Sequence, residues 1–303
     1  MLPRLLVVSV LFLAAAACAS GRYQAEGDDQ PDPVDAAATQ TDAAATVDAP
    51  VVPVDGPGAD APPSTVAPLQ LSEVVLAPNN LELIELVNPG SAPVSLRNYY
   101  LTDVPTYFRL PAAGQTADVS DFIVRFPVGA TIPARGVITI ALDTTATFTA
   151  AAGVAPTYSI ASGTIELVAG SSATLTNTGE PVVLFFWDGA SDRVTDVDVM
   201  LAGAPTAANA LVNKSGLSVD GPDAGASGTA YAVDAMTIAA QSSTPGSGLS
   251  TKRVALESAS TEHQTGGNGV LGQDETSEQT TTTWDTSGFT TPTPGMVPAV
   301  LTP

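Results

Sequence analysis

Residues that act as nucleophiles, general bases or soft metal ligands are scarce in this 303-residue chain, which has one cysteine, Cys18, and one histidine, His263. A single histidine excludes a metal site with two imidazoles, and any Ser-His-Asp triad would depend on His263. The sequence also lacks the Gly-x-Ser-x-Gly, Ser-x-x-Lys and phosphate-loop motifs. Because His263 follows Glu262 in a polar, glycine-rich segment, we interpret it as a surface residue.

Carboxylates are plentiful, and paired carboxylates are the catalytic groups of most glycoside hydrolases. The candidates are Asp192, Asp196, Asp198, Asp220, Asp223, Asp274 and Glu275. Strand alternation predicts that Asp196 and Asp198 share one face while Val197 and Val199 share the other, as in an ordinary half-buried strand. Since no spacing selects a catalytic pair, we assign no catalytic residue. We expect a non-enzymatic protein, and a hydrolase with paired carboxylates is the alternative.

Two loops carry the oxygen donors that Ca²⁺ binds, residues 219–223 and residues 267–275. Neither loop matches an EF-hand or a repeat-type calcium motif, so we predict no metal site and no cofactor, and keep a structural Ca²⁺ as an alternative. Two further carboxylates, Glu73 and Glu85, lie in apolar strand-like segments. We expect each of them to pair locally or to face solvent.

The elements that position these residues have mostly the pattern of β-strands. The predicted strands are residues 69–75, 81–87, 99–101, 122–126, 137–142, 165–168, 182–187, 194–201 and 231–233. Turn-forming residues such as Asn88-Pro89-Gly90 and Asn177-Thr178-Gly179 separate them, and only residues 144–152 have a helical character. Many short strands between turn signals predict an all-β sandwich.

Cys18 follows an N-terminal segment of the kind that directs secretion. Arg4 precedes an apolar run over residues 5–17, which is too short to span a bilayer and ends in four alanines. Residues 15–18, Ala-Ala-Ala-Cys, resemble the lipobox that the lipoprotein signal peptidase cleaves. We therefore predict a signal peptide over residues 1–17 and a lipid anchor on Cys18. Ordinary secretion, with cleavage after an alanine, is the alternative.

Residues 18–67 have the composition of a spacer. Between residues 19 and 67 there are nine acidic residues, one basic residue and no Leu, Ile, Phe, Met or Trp. Such a segment buries too little apolar surface to offset the entropy of ordering, so we predict a disordered acidic tether. The formal net charge of the whole chain is −21. Because nucleic acids and anionic lipids bind clustered Lys and Arg, we predict no nucleic-acid partner.

Residues 68–201 resemble a lamin tail domain. The resemblance begins in residues 71–75 (Leu-Ser-Glu-Val-Val) and 83–89 (Leu-Ile-Glu-Leu-Val-Asn-Pro), and continues in residues 92–96 and 99–103. Residues 130–136, 175–182 and 192–198 fit later parts of the same family pattern. The resemblance implies an immunoglobulin-like β-sandwich and does not imply a reaction.

Residues 202–303 are richer in Gly, Thr and Pro, and we predict a loop-rich extension that packs on the sandwich and buries Trp284 and Phe289. The functional hypothesis is a lipid-anchored protein of the cell envelope, most favourably the outer membrane because Ala19 follows the cysteine. Secretion is the alternative location. Its partners would be the membrane, through Cys18, and envelope proteins or glycans, which the lamin-tail-like domain contacts or organises.

Overall fold

The computed structural model describes residues 66–112, 117, 120–171, 174–203, 213–225, 227–234, 243–264, 266–298 and 301. Cys18, the predicted signal peptide and all but the last two residues of the predicted tether lie outside this range. Among the described residues, no helix has both the length and the apolar character that crossing a membrane requires.

Two five-stranded sheets form the structure. The first has the order β14-β1-β2-β7-β8, with β1 at Gln70–Val75, β2 at Leu83–Val87, β7 at Val137–Ala141, β8 at Tyr158–Ser159 and β14 at Thr251–Lys252. The second has the order β11-β10-β4-β5-β9, with β4 at Tyr99–Thr102, β5 at Phe122–Arg125, β9 at Glu166–Gly170, β10 at Gly179–Phe186 and β11 at Thr195–Gly203. All neighbours are antiparallel except β7 and β8. The predicted all-β sandwich is confirmed.

The remaining elements are short. Two small ribbons pair β3 at Val94–Ser95 with β6 at Thr131–Ile132, and β12 at Ser218–Val219 with β13 at Thr229–Ala230. The helices are α1 at Thr145–Ala152 and α2 at Thr280–Thr283, with 3₁₀ turns at Asn79–Leu81, Tyr107–Arg109, Val270–Gly272 and Glu275–Ser277.

Helix α1 coincides with the one segment to which we assigned helical character. The Thr144 hydroxyl accepts a hydrogen bond from the Thr147 N–H at 3.2 Å, which caps the first turn. Gly153 ends the helix with φ = +76°, and its N–H donates to the Thr149 carbonyl. Its one fully buried side chain, Phe148, packs on the outer face of the first sheet.

Apolar side chains fill the space between the sheets and also cover their outer faces. The central cluster includes Ile84 and Leu86 from the first sheet and Leu101 and Leu184 from the second. A second cluster covers the outer face of the second sheet, where Phe185 packs under the 3₁₀ turn at Tyr107–Arg109. Strand β10 is therefore apolar on both faces, which explains its continuous run of large side chains.

The chain after residue 243 returns to the first sheet. Strand β14 pairs with β1, with Lys252 opposite Glu73. Trp284 is 1% exposed and belongs to the central cluster, whereas Phe289 is half-buried. The predicted strand at residues 231–233 was wrong, because the strand there is β13 and ends at Ala230. Tyr231 is nevertheless buried, and its hydroxyl donates to the Phe108 carbonyl at 2.8 Å.

Candidate functional site

Asp196 and Asp198 lie on opposite faces of β11, so our prediction that they share one face was wrong. Leu184 of β10 pairs with Asp198, and the next residue, Phe185, pairs with Asp196, which leaves Val197 as the extra residue of a β-bulge. Neighbouring residues of β10 point to opposite faces, and therefore so do the two aspartates. The bulge directs Asp196 to the outer cluster and Asp198 towards the chain after residue 243.

Asp196 is part of a buried ion cluster on the outer face of the second sheet. Its carboxylate accepts a hydrogen bond from the Tyr107 hydroxyl at 2.5 Å and lies 2.7 Å from the Lys214 ammonium. Asp234 lies 3.4 Å from the same ammonium and also accepts bonds from the Lys214 N–H and the Asn268 amide. The cluster joins residues 213–234 to β11.

The electrostatics of this cluster suit a structural role. Burial lowers the pKa of Lys214, whereas the Asp196 and Asp234 carboxylates raise it. The combined effect of the carboxylates is larger, so the pKa lies above its usual value. A catalytic lysine requires the opposite shift, because only the neutral amine is a base or nucleophile. Burial raises the pKa of Tyr107 well above its usual range, and the negative charge of Asp196 adds to this effect. Neither group is activated for proton transfer at neutral pH.

Asp198 binds the guanidinium of Arg253, which is 1% exposed. Arg253 donates to Asp198 at 2.7 Å, to Glu278 at 2.6 Å and to the Leu71 carbonyl at 2.6 Å. Its guanidinium carbon also lies 4.8 Å from the centre of the Trp284 ring, which is cation–π distance. Arg253 is therefore fully buried, although the adjacent Lys252 is only half-buried.

An open cleft of about 450 Å³ contains Asp192 and Asp223, two of the carboxylates considered for hydrolysis. Asp192 accepts hydrogen bonds from the Gly221 N–H at 2.8 Å and the Thr229 hydroxyl at 2.6 Å. The bond from Thr229, then that from Gly221, lowers the pKa of Asp192. Asp223 accepts the N–H of Gly225 within its own turn. Hydrogen bonds within the protein therefore engage both of these carboxylates.

Glu73 and Glu85 face each other across β1 and β2, and both are buried. Glu73 accepts hydrogen bonds from the Ser250 hydroxyl at 2.5 Å and from the N–H and hydroxyl of Thr293. Glu85 accepts the Gly295 N–H at 2.7 Å. The expectation that these carboxylates face solvent was wrong. Glu85 has a partner close in sequence, the Ser72 hydroxyl at 3.0 Å, whereas Ser250, Thr293 and Gly295 lie more than 175 residues from the carboxylates that they bind.

The other sequence-derived candidates are dispersed. His263 is exposed, and its backbone N–H donates to the Ser277 carbonyl. Asp220 is exposed, and Asp274 caps the 3₁₀ turn by accepting the Thr276 N–H and hydroxyl. Of these four residues, Glu275 is the one that lies close to other carboxylates, those of Glu257 and Glu262.

Three carboxylate groups among the described residues are compact enough to share a metal ion. They are Asp103 with Asp121 and Glu180, Asp198 with Glu257 and Glu278, and Glu257 with Glu262 and Glu275. Sequence reasoning identified only Asp198 and Glu275 as candidates. The first two groups combine distant parts of the chain, and the third is close in sequence but has no recognised metal-binding motif.

The comparison with protein families agrees with this architecture. Residues 62–220 match the family model described as Lamin Tail Domain, which is more than half of the chain. The chain belongs to the lamin tail domain family. No curated protein matches it, and no solved structure does.

Lamin tail domains are immunoglobulin-like and non-catalytic, and they are associated with protein interaction. The matched segment reaches from before β1 to β12 and so includes every strand of the two sheets except β14. Arg253, Glu278 and Trp284 follow the matched segment in sequence, yet they pack against its strands β1 and β11. Residues that follow the matched segment therefore contribute buried charged and aromatic side chains to the folded domain.

Proposed function

We propose that this chain is a lipid-anchored protein of the cell envelope whose lamin tail domain binds other envelope proteins without catalysing a reaction. The anchor is supported by the signal-peptide pattern and by Cys18 as the only cysteine. The non-enzymatic role is supported by the family and by the cleft carboxylates, which hydrogen bonds within the protein already engage.

The observation that carries the proposed binding role is the exposure of β9. This strand lies at the edge of the second sheet and pairs with β5 as its one neighbour among the described strands. Leu167 and Val168 are 43% and 40% exposed, so two adjacent apolar side chains on opposite faces both contact solvent. An edge strand has unpaired N–H and C=O groups with which a further strand can pair.

The partner that fits this edge is an extended polypeptide with a net positive charge. Backbone pairing along β9 requires a peptide, and Leu167 and Val168 offer apolar contacts on both sides of it. The formal net charge of −21 attracts a basic segment and repels an acidic one. Arg125, the basic side chain next to β9, is already bound to Glu166 at 2.6 Å.

Site-specific photo-crosslinking in living cells tests this role. A photoreactive residue replaces Leu167 in the full-length chain, and the matched control replaces Val154, which has the same 43% exposure. We expect a cross-linked adduct at position 167 and none at position 154, and we expect the cross-linked peptide to be basic. Adding Val168→Lys should reduce the yield by about tenfold, which corresponds to about 1.4 kcal/mol of binding free energy.

Three results would contradict the proposed partner. Equal adducts at positions 167 and 154 would show that the edge is not selective. An adduct that contains sugar and no peptide would identify a glycan ligand, and an adduct between two copies of this chain would identify self-association.

A further inference from the structure

Five buried carboxylates lie around the guanidinium of Arg253, beneath the 3₁₀ turn at Glu275–Ser277. They are Asp198, Glu257, Glu262, Glu275 and Glu278. Arg253 is the one cation that the described ion pairs place in this group. One guanidinium offsets a single negative charge, and burying the others without a counter-charge is costly.

Several oxygens of this group have no hydrogen-bond donor among the described residues. Asp198 and Glu278 each use one carboxylate oxygen to bind Arg253, and the second oxygen of each is buried and unbonded. One buried oxygen of Glu257 and one of Glu262 are likewise without a donor. The unbonded oxygens belong to side chains that are at least nine-tenths buried. These oxygens therefore require a positive charge or a proton that the described hydrogen-bond donors do not supply.

A cavity gives access to this group from one side. Its volume is about 330 Å³, and Glu257 and Glu275 line it together with Val197, Val270 and Gln273. Gly269 leaves room for Glu275 on the same side, since a Cβ added at residue 269 would collide with a Glu275 carboxylate oxygen. The cavity is large enough to admit a hydrated ion to two of the carboxylates.

Glu257, Glu262 and Glu275 have the donor chemistry and spacing of a hard-cation site. One carboxylate oxygen from each lies within 4.8 Å of the other two. Ca²⁺ binds oxygen at about 2.4 Å, which allows ligand oxygens to lie up to ~4.8 Å apart across the ion. Carboxylates alone, without His or Cys, favour Ca²⁺ over Zn²⁺.

We propose that Glu257, Glu262 and Glu275 bind a Ca²⁺ ion that enters through this cavity and holds these three parts of the chain after residue 243 together. The site is independent of the proposed role of β9. The competing explanation is that the carboxyl groups share protons. Burial, with the neighbouring Glu278 charge, raises the pKa of Glu257, and burial also raises that of Glu275. A bound Ca²⁺ ion and shared protons would each reduce the negative charge of the carboxylates. Only the first predicts that added calcium stabilises the protein.

Thermal unfolding of the full-length protein in detergent, stripped with EDTA and measured near neutral pH, separates the two explanations. Saturating Ca²⁺ should raise Tm by at least about 5 °C, since a ligand that binds only the folded state stabilises it by mass action. The shift should disappear in the double variant Glu257→Gln/Glu275→Gln. It should persist in Glu166→Gln, which removes an exposed carboxylate on β9.

The double variant also reports on its own folding. It removes two buried negative charges, so in EDTA it should melt at or above the wild-type temperature, and a lost calcium response then reflects lost ligands. A second variant, Gly269→Ala, displaces Glu275 and should weaken calcium binding about tenfold or more. Tb³⁺ luminescence gives a direct readout, because Trp284 lies against Arg253 and should sensitise a bound ion.

The outcomes decide the proposal. A calcium-dependent Tm shift and Tb³⁺ luminescence, both lost in the double variant and retained in Glu166→Gln, would support it. A wild-type Tm that does not change with Ca²⁺ but rises on acidification would overturn the calcium proposal and favour shared protons. An equal shift with Mg²⁺ would contradict the choice of Ca²⁺, and a calcium response that survives in the double variant would place the ion elsewhere.

Discussion

Asp103, which directly follows β4, shows at the scale of a residue how burial changes a carboxyl group. One of its oxygens accepts the Phe122 N–H at 2.7 Å, and the other has no hydrogen bond among the described groups. Burial raises the pKa of Asp103 to about 9; the bond from Phe122 opposes this shift, and the Glu180 and Asp121 charges add to it. The group therefore holds a proton at neutral pH, and an asparagine has nearly the same shape and charge.

We predict that Asp103→Asn makes the folded protein less sensitive to alkaline pH. The native carboxyl binds its proton more tightly than the unfolded one, so its contribution to stability is greatest at low pH and declines as pH rises from about 4 to 9. At about pH 5 the variant should melt near the wild-type temperature, and at about pH 8.5 it should melt about 10 °C or more above wild type. Calorimetry in EDTA measures both values.

Asp223→Asn, which makes the same substitution at an exposed position, is the control and is measured at the same two pH values. If Asp103→Asn and wild type lose stability in parallel between the two pH values, Asp103 does not titrate in this range and its raised pKa is wrong.

At the scale of an element, the first sheet depends on a segment that forms no strand. The Glu73 and Glu85 carboxylates, side by side on β1 and β2, are held by Thr293 and Gly295 near the end of the chain. Burial raises the pKa of Glu85 to about 7, even though the Gly295 bond lowers it. The segment thus supplies donors to two carboxylates that would otherwise be buried side by side.

We predict that truncating the chain after Phe289 lowers stability by about 3 kcal/mol or more, because hydrogen bonds to charged groups are worth about 1.5–3 kcal/mol each. For a domain of this size Tm should fall by roughly 6–12 °C. The truncation also removes Leu301, a buried core residue, so a matched variant is required. Adding Glu73→Gln and Glu85→Gln to the truncated chain should restore part of the loss. No recovery would show that the segment stabilises the fold through packing alone.

The same scale shows what a sequence can reveal about this fold. Strands β2 and β7 agree with predicted strands to within two residues, because local apolar periodicity determines them. The bulge at Val197 inverts the face of Asp196, and no local pattern indicates it. Arg253 and Lys214 are buried although charged residues of this kind are usually exposed. Their partners Asp198 and Asp196 lie 55 and 18 residues away, so tertiary contacts determine their burial.

At the scale of the molecule, three sequence features combine into one arrangement. The predicted order is an anchor at Cys18, an acidic tether to residue 67 and the lamin tail domain with its extension. The predicted tether has nine of the 31 acidic residues, and we expect their mutual repulsion and its prolines to favour extended conformations.

We predict that Cys18→Ser releases the protein from the membrane fraction and abolishes labelling by a radioactive fatty acid. A thioether-linked diacylglycerol requires the thiol, and two or more acyl chains are needed for stable anchoring. The matched control deletes residues 24–63 and keeps Cys18. It should stay in the membrane fraction, incorporate label and melt within about 2 °C of wild type, because the core residues lie after the deletion. Membrane retention of Cys18→Ser would contradict the anchor. A large fall in Tm on deletion would show that residues 24–63 pack on the domain instead of acting as a spacer.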